Sequence, residues 1–212
     1  MKMNKLYIIG AGGFGREVLQ WIKDINKVEN RWEIGGFIDD DLHALDNIEC
    51  DYGVVGTISD WQPKEDEEFV LCIASPKTKQ MIAEKYMAMG AKFPIIIHPT
   101  AVRTDFTEYG EGTILWPNAK ISVNSKCGKF CTILSTDVGH DNVIGDYCFI
   151  AANTTMLRNI VVGDRVFIAS NAVIANDVKI GNDAYIGMGS IVMKDIPEGC
   201  KTFANPARIL PA

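Results

Sequence analysis

Residues 144–192 read IGDYCFIAANTTMLRNIVVGDRVFIASNAVIANDVKIGNDAYIGMGSIV. An aliphatic residue stands at every sixth position: Ile144, Ile150, Met156, Val162, Ile168, Ile174, Ile180, Ile186 and Val192. Six residues turn an α-helix through about 600°, so successive members would point about 120° apart. A strand accommodates the spacing, because six is a multiple of its two-residue period. A repeat this regular marks a solenoid in which each rung buries its apolar row against the next. A second row follows four residues behind the first: Cys148, Thr154, Ile160, Val166, Ala172, Val178, Ala184, Ser190 and Ile196. One large and one small inward row suit a narrow tube with flat sides. The pairs Gly145-Asp146, Gly163-Asp164 and Gly181-Asn182 recur every 18 residues, three hexads. One coil therefore has three sides. These pairs mark one corner, where Gly and Asp/Asn tolerate turn dihedrals.

The pattern extends backwards in a shifted frame through Leu115, Ile121, Cys127 and Ile133. The frames join only if one residue is missing between Ile133 and Val138. That slip lies just before His140, and it is either a short corner or a distortion beside a site.

Within 212 residues there is room for two modest domains. The 27 acidic and 21 basic side chains give a net charge of −6. Nucleic-acid binding, which wants a basic stripe, is not indicated. No apolar run is long enough to span a membrane, and no signal-peptide layout is seen. The cysteines at 50, 72, 127, 131, 148 and 200 form no CxxC pair. They read as reduced thiols of a cytoplasmic protein, with Cys127 and Cys148 on inward rows and no zinc site.

Residues 1–97 read as a different, α/β domain, and residues 98–212 as the β-helix with a C-terminal tail. Residues 5–9 form a buried strand, and the Gly10-Ala11-Gly12-Gly13-Phe14-Gly15 turn leads into a helix over 16–25. Strand, GxGxxG, helix is the context that glycine motif requires. Further strands are expected at 34–38, 69–74 and 93–97, and a second helix at 77–89. Alternation of this kind implies a small parallel sheet. A dinucleotide domain needs two βαβαβ halves, and about one fits. The helix N-terminus can still hold a phosphate or a sugar-nucleotide; a turn that only packs helix on strand is the alternative.

Several segments together carry a resemblance: GAGGFGREV at 10–18, FIDDD at 37–41, VVGTISDW at 54–61, IIHPTA at 96–101, GHDNVIGD at 139–146 and ANPARIL at 204–210. The chain resembles the sialic-acid O-acetyltransferase-like group of sugar acyltransferases within the hexapeptide-repeat superfamily, which includes bacterial UDP-amino-sugar N-acetyltransferases. The resemblance covers nearly the whole chain. It implies a left-handed parallel β-helix of triangular section behind a Rossmann-like half. It also implies acyl transfer, usually acetyl, from acyl-CoA to a sugar amine or hydroxyl. A homotrimer with active sites between adjacent β-helices is implied too, as is a setting in polysaccharide biosynthesis.

The resemblance carries the catalytic histidine onto His140, in the segment His-acid-x-Val-Ile-Gly, with Asp141 as the carboxylate that raises its basicity. The chemistry wants a base near neutral pH, and imidazole ordinarily titrates at about 6.5. Strand alternation would send neighbours to opposite faces, so the pair cooperates only if the chain bends there. Asp137 is the reserve carboxylate. By the same resemblance Gly12, Gly13, Phe14, Asp39, Asp40 and, more weakly, Ala74 contact the sugar-nucleotide. Phe149, Ala169, Ser170 and Met188 line acyl-CoA, and Lys194, Lys201 and Arg208 lie where its phosphates would be met.

Two positions depart from the family pattern. An asparagine that helps hold the acceptor is matched here by Leu134 or Ser135. The glycine whose N–H stabilises the oxyanion is replaced by Arg158, which keeps an N–H. Transfer to an amine of a nucleotide-linked sugar is the leading expectation, and O-acetylation of sialic acid or another sugar hydroxyl the alternative. A γ-type carbonic anhydrase would need three zinc-binding histidines, and the chain has only His43, His98 and His140. A non-catalytic trimeric scaffold or sugar-nucleotide sensor is the reading outside enzymology.

Overall fold

The computed structural model describes residues 3–203 and 208–210. Residues 204–207, most of the ANPARIL segment, and the side chain of Arg208 lie outside the described residues.

The N-terminal unit runs β1 (Lys5–Ile9), α1 (Gly13–Glu29), β2 (Glu33–Ile38), β3 (Val54–Gly56), β4 (Glu67–Leu71) and α2 (Pro76–Ala88). Its sheet is parallel, in the order β3-β2-β1-β4. Strand alternation divides β1 between two cores. Leu6 and Ile8 meet Val18, Leu19, Trp21 and Ile22 of α1. Tyr7 and Ile9 face the other way, onto Phe69, Ile82, Ala83 and Tyr86. α2 is announced by Ser75, whose Oγ accepts from the Thr78 N–H, and by proline at its first position. The strand expected at 93–97 does not join this sheet. Its place as fourth strand is taken by Val54–Gly56, whose three residues are too short to show a period. Ile96–Ile97, here β5, instead pairs with Ile114–Leu115 and begins the solenoid.

The solenoid has three parallel faces of two-residue strands. The first runs from β5 through Ile114–Leu115, Thr132–Ile133, Phe149–Ile150, Phe167–Ile168 and Tyr185–Ile186 to Lys201–Phe203, where Arg208–Leu210 turns back antiparallel. The second holds Lys120–Ile121, Asp137–Val138, Thr155–Met156 and their neighbours; the third holds Lys126–Cys127, Val143–Ile144 and Val161–Val162. Both inward rows are buried throughout. Each fully buried large aliphatic contributes roughly 1.5–3 kcal/mol, which is what a coil offers in place of long strands.

The corners follow a rule of their own. A residue of left-handed conformation stands at Asn118, Asn124, Phe130, Asp141, Tyr147, Asn153 and every sixth position on to Asp183. Asn and Asp predominate because their short side chains tolerate that region. Between Phe130 and Asp141 the interval is 11 residues where two regular hexads give 12. The slip is therefore real, and the missing residue is the left-handed one at the corner after Ile133. Gly145, Gly163 and Gly181 do mark one corner, but not for their dihedrals. A Cβ on Gly145 would lie 2.5 Å from Asp164 Oδ1, and one on Gly163 2.4 Å from Asn182 Oδ1. The following Asp/Asn oxygens accept from the coil below: Asp146 N–H donates to Asp164 Oδ1 and Asp164 N–H to Asn182 Oδ1, each at 2.8 Å. Glycine clears room for this ladder.

The N-terminal unit packs on the first face. The Trp21 and Trp116 rings lie 4.3 Å apart, and Phe14 meets Phe149 edge-on at 5.9 Å. α2 drives Lys79 into the interface, fully buried. Its ammonium donates to Phe130 O, Thr132 Oγ1 and Cys148 O at 3.0–3.1 Å and lies 5.5 Å from the Phe149 ring centroid. Among the described residues no carboxylate pairs with it there, and burial pushes its pKa down from 10.5 to about 8. Below pH 8 both folded and unfolded states hold this proton, and the buried charge costs stability. From about 8 to 10.5 only the unfolded state holds it, so folding gains as pH rises. Urea melts of the wild type and Lys79→Met are expected to show a stability difference that moves in favour of the wild type across that window. A difference that stays flat would mean a solvated ammonium.

Candidate active site

His140 stands on the corner between the second and third faces. Asp141 behind it takes the left-handed conformation, φ 60°. That bend defeats strand alternation and brings adjacent side chains together: His140 Nδ1 lies 2.5 Å from Asp141 Oδ2. Both groups are solvent-accessible. The His140 imidazole, and after it the Asn124 amide at 3.1 Å, hold the Asp141 carboxyl below the usual carboxylate range. With Nδ1 on the carboxylate, Nε2 is the ring nitrogen left for another partner. Asp137, the reserve carboxylate, pairs with Lys120 at 3.4 Å on its own face. Asn124 was not foreseen. The coil period could have found it, since Asn124, Asp141, Asn159 and Asp177 share one column, and Asn159 Nδ2 meets Asp177 Oδ1 in the same way.

Arg158 lies one coil above His140 on this corner. Its guanidinium is 3.8 Å from Asp177, and its N–H makes a long bond, 3.3 Å, to Asn176 Oδ1. The other acyl-CoA candidates are elsewhere. Ala169, Ser170 and Met188 follow strands of the first face, on the corner before the second face, so a whole face separates them from His140 in one chain. Met188 is exposed and Ala169 buried. The Phe149 ring is buried against Phe14, Phe167 and Lys79, because the N-terminal unit covers the first face at that coil. Leu134 packs beneath the same unit. Lys194 and Lys201 are exposed near the C-terminal end.

The sugar-nucleotide candidates gather at the carboxyl ends of β1, β2 and β4, where open α/β sheets bind ligands. Gly12, Gly13, Asp40 and Ala74 are exposed there. Asp39 holds the glycine turn itself: one carboxylate oxygen accepts from Ala11 N–H at 2.7 Å and the other from Asp41 N–H at 3.0 Å. Asp40 accepts from Ser59 N–H at 3.0 Å. The Phe14 ring turns away, onto Trp21 and Phe149. Among the described residues no His, Cys, Asp and Glu side chains group to hold a metal, and no helix is long and apolar enough to cross a membrane.

Residues 5–86 match the family described as the PglD N-terminal domain, and residues 159–194 match the bacterial transferase hexapeptide of six repeats. A GDP-perosamine N-acetyltransferase of Escherichia coli O157:H7 is 33% identical over 151 residues, 70% of this chain and 68% of that protein. The chain belongs to the sialic-acid O-acetyltransferase-like family of sugar acyltransferases. Two solved structures superimpose on nearly its full length. The acetyltransferase domain of PglB from Neisseria gonorrhoeae FA1090, in complex with acetyl coenzyme A, is 25% identical at TM-score 0.88, covering 99% of this chain and 100% of that one. WeeI from Acinetobacter baumannii AYE is 29% identical at TM-score 0.87, covering 99% and 100%. As in this family, the solenoid is the left-handed β-helix of hexapeptide repeats.

Proposed function

We propose that the chain transfers an acetyl group from acetyl-CoA to the amine of a nucleotide-linked amino sugar, with His140 as general base. The observation that carries this is the His140–Asp141 pair, exposed on a β-helix corner with Nε2 free for substrate. The kinship with a GDP-perosamine N-acetyltransferase and with an acetyl coenzyme A-bound domain supports the acceptor class and the donor.

The sugar amine attacks the thioester carbonyl, and His140 Nε2 takes the proton it sheds. The oxyanion is met by the Arg158 N–H, whose long bond to Asn176 is readily exchanged for one to charged oxygen. Collapse breaks the C–S bond, and the imidazolium returns the proton to the departing sulfur. The products are the N-acetyl sugar and free CoA. Asp141 favours the Nδ1–H tautomer and steadies the imidazolium. The acyl-CoA candidates on the opposite corner fit a homotrimer in which Ala169, Ser170 and Met188 of one copy face His140 of the next. Gly12, Gly13, Asp40 and Ala74 at the strand ends suit the nucleotide-linked sugar, and Asp39 holds the turn that shapes that site. We place the reaction in the cytoplasm, where acetyl-CoA and nucleotide sugars are made.

A thiol-release assay with acetyl-CoA tests this against UDP-, dTDP- and GDP-linked amino sugars and free sialic acid. Turnover of a nucleotide-linked amino sugar is expected. Turnover of sialic acid alone would replace N- by O-acetylation, and silence with no CoA binding would favour a scaffold. Asp141→Asn is expected to lower kcat roughly 10- to 100-fold. That is less than the ~10⁴ for a buried triad aspartate, because this pair is exposed. An unchanged kcat would remove Asp141 from the mechanism.

A further inference from the structure

Inside the catalytic corner sits a polar side chain for which the mechanism above has no use. Asn142 is fully buried in the lumen of the solenoid. At the same place in the next two coils stand Ile160 and Val178, both buried. A buried amide is costly unless every group is matched, and this one is matched three times. Its Nδ2 donates to Gly139 O and to Leu157 O, each at 2.8 Å, and its Oδ1 accepts from Ile160 N–H at 2.7 Å.

Those partners flank the two residues that matter. Gly139 precedes His140 in one turn, and Leu157 and Ile160 bracket Arg158 in the turn above. One amide therefore ties the turn of the base to the turn of the oxyanion N–H. Other contacts tighten the same point. Ser125 Oγ, one coil below, donates to Gly139 O at 2.9 Å and accepts from Asn142 N–H at 3.2 Å. A Cβ on Gly139 would lie 2.4 Å from Leu157 O, so the two turns are in direct backbone contact there.

We infer that Asn142 is a positioning residue that fixes His140 relative to the Arg158 N–H across one coil. This rests on the reading of His140 and Arg158 given above. A hydrophobic residue in its place leaves Leu157 O and the Ile160 N–H without these partners, and the two turns relax independently. Misplacement of a catalytic group by about 1 Å costs up to about 10²-fold in rate.

The test compares Asn142→Val, which inserts what the lumen carries one coil pair higher, with Thr113→Val. Thr113 also caps a buried carbonyl, Gly128 O at 2.8 Å, but at a different corner. Asn142→Val is expected to lower kcat about 10- to 100-fold while the KM values for acetyl-CoA and acceptor hold. Asn142→Ser, which keeps one donor, should recover part of the rate, and Thr113→Val should keep kcat. An activity-independent arm records the imidazole ¹⁵N shifts of His140, expected to move in Asn142→Val and to hold in Thr113→Val. Equal loss of kcat in both variants, or unmoved His140 shifts in Asn142→Val, would overturn the inference. Wild-type enzyme silent toward every acceptor overturns instead the functional reading, and the ¹⁵N arm still decides whether Asn142 orients the ring.

Discussion

Alanine at His140 is expected to lower kcat for acetyl transfer about 10²- to 10⁴-fold, the usual share of a general acid–base group. The loss should fall on kcat, since a general base does its work while the amine sheds its proton. Circular dichroism should be unchanged, because His140 projects from a corner and neither inward row contains it. The largest effect belongs to this residue because no other imidazole is placed to substitute. His43 is engaged with Asp46 at 2.8 Å, and His98 is buried with Thr100 at 2.8 Å. Full activity in His140→Ala, measured by thiol release with whichever acceptor of the panel the wild type turns over, would remove the histidine from the mechanism.

The second large effect is on stability, at Gly15. A Cβ there would stand 1.9 Å from Gly10 O and 3.5 Å from Ile8 Cγ2. α1 can accept a methyl group only by lifting from β1. Overpacking of this kind costs about 3 kcal/mol or more when the obstacle is backbone. For a domain of this size, 1 kcal/mol moves Tm by about 4–8 °C, so Gly15→Ala is expected to lower the N-terminal transition by about 12 °C or more in calorimetry. Gly12→Ala is the counterpart. Nothing lies within 4 Å of a Cβ there, so Tm should hold while KM for the acceptor rises. A Gly15→Ala protein that melts with the wild type would show that the turn is loose.

These two glycines illustrate what could be read in advance. The motif announced a strand, a turn and a helix, and those elements are present. It could not separate the glycines that packing demands, Gly10 and Gly15, from those left open to solvent, because that depends on what lies across the turn. The solenoid was legible because its burial repeats with a short period: both inward rows, the three-sided coil and the slip could be counted from residue types. The corner glycines were located correctly and explained wrongly, since close approach between coils leaves the same mark as a special dihedral. Val54–Gly56 was missed because a three-residue edge strand has no period to detect. Lys79 carried no signal at all, for its partners are carbonyls 51 and 69 residues away. The His140–Asp141 contact was legible by motif, whereas Asn124 was missed although its column could have shown it. The burial of Phe149 was not legible, because the domain covering it cannot be inferred from the solenoid's own pattern.

The shortened corner after Ile133 has a consequence for recognition along a surface of identical steps. A periodic wall looks the same after every translation by one coil, about 4.8 Å, so a long ligand lying against it has several degenerate registers. Removing one residue from this corner breaks that translational symmetry in the coil that holds His140. The wall thereby acquires an origin, like the zero mark on a ruler, from which a ligand's position can be counted.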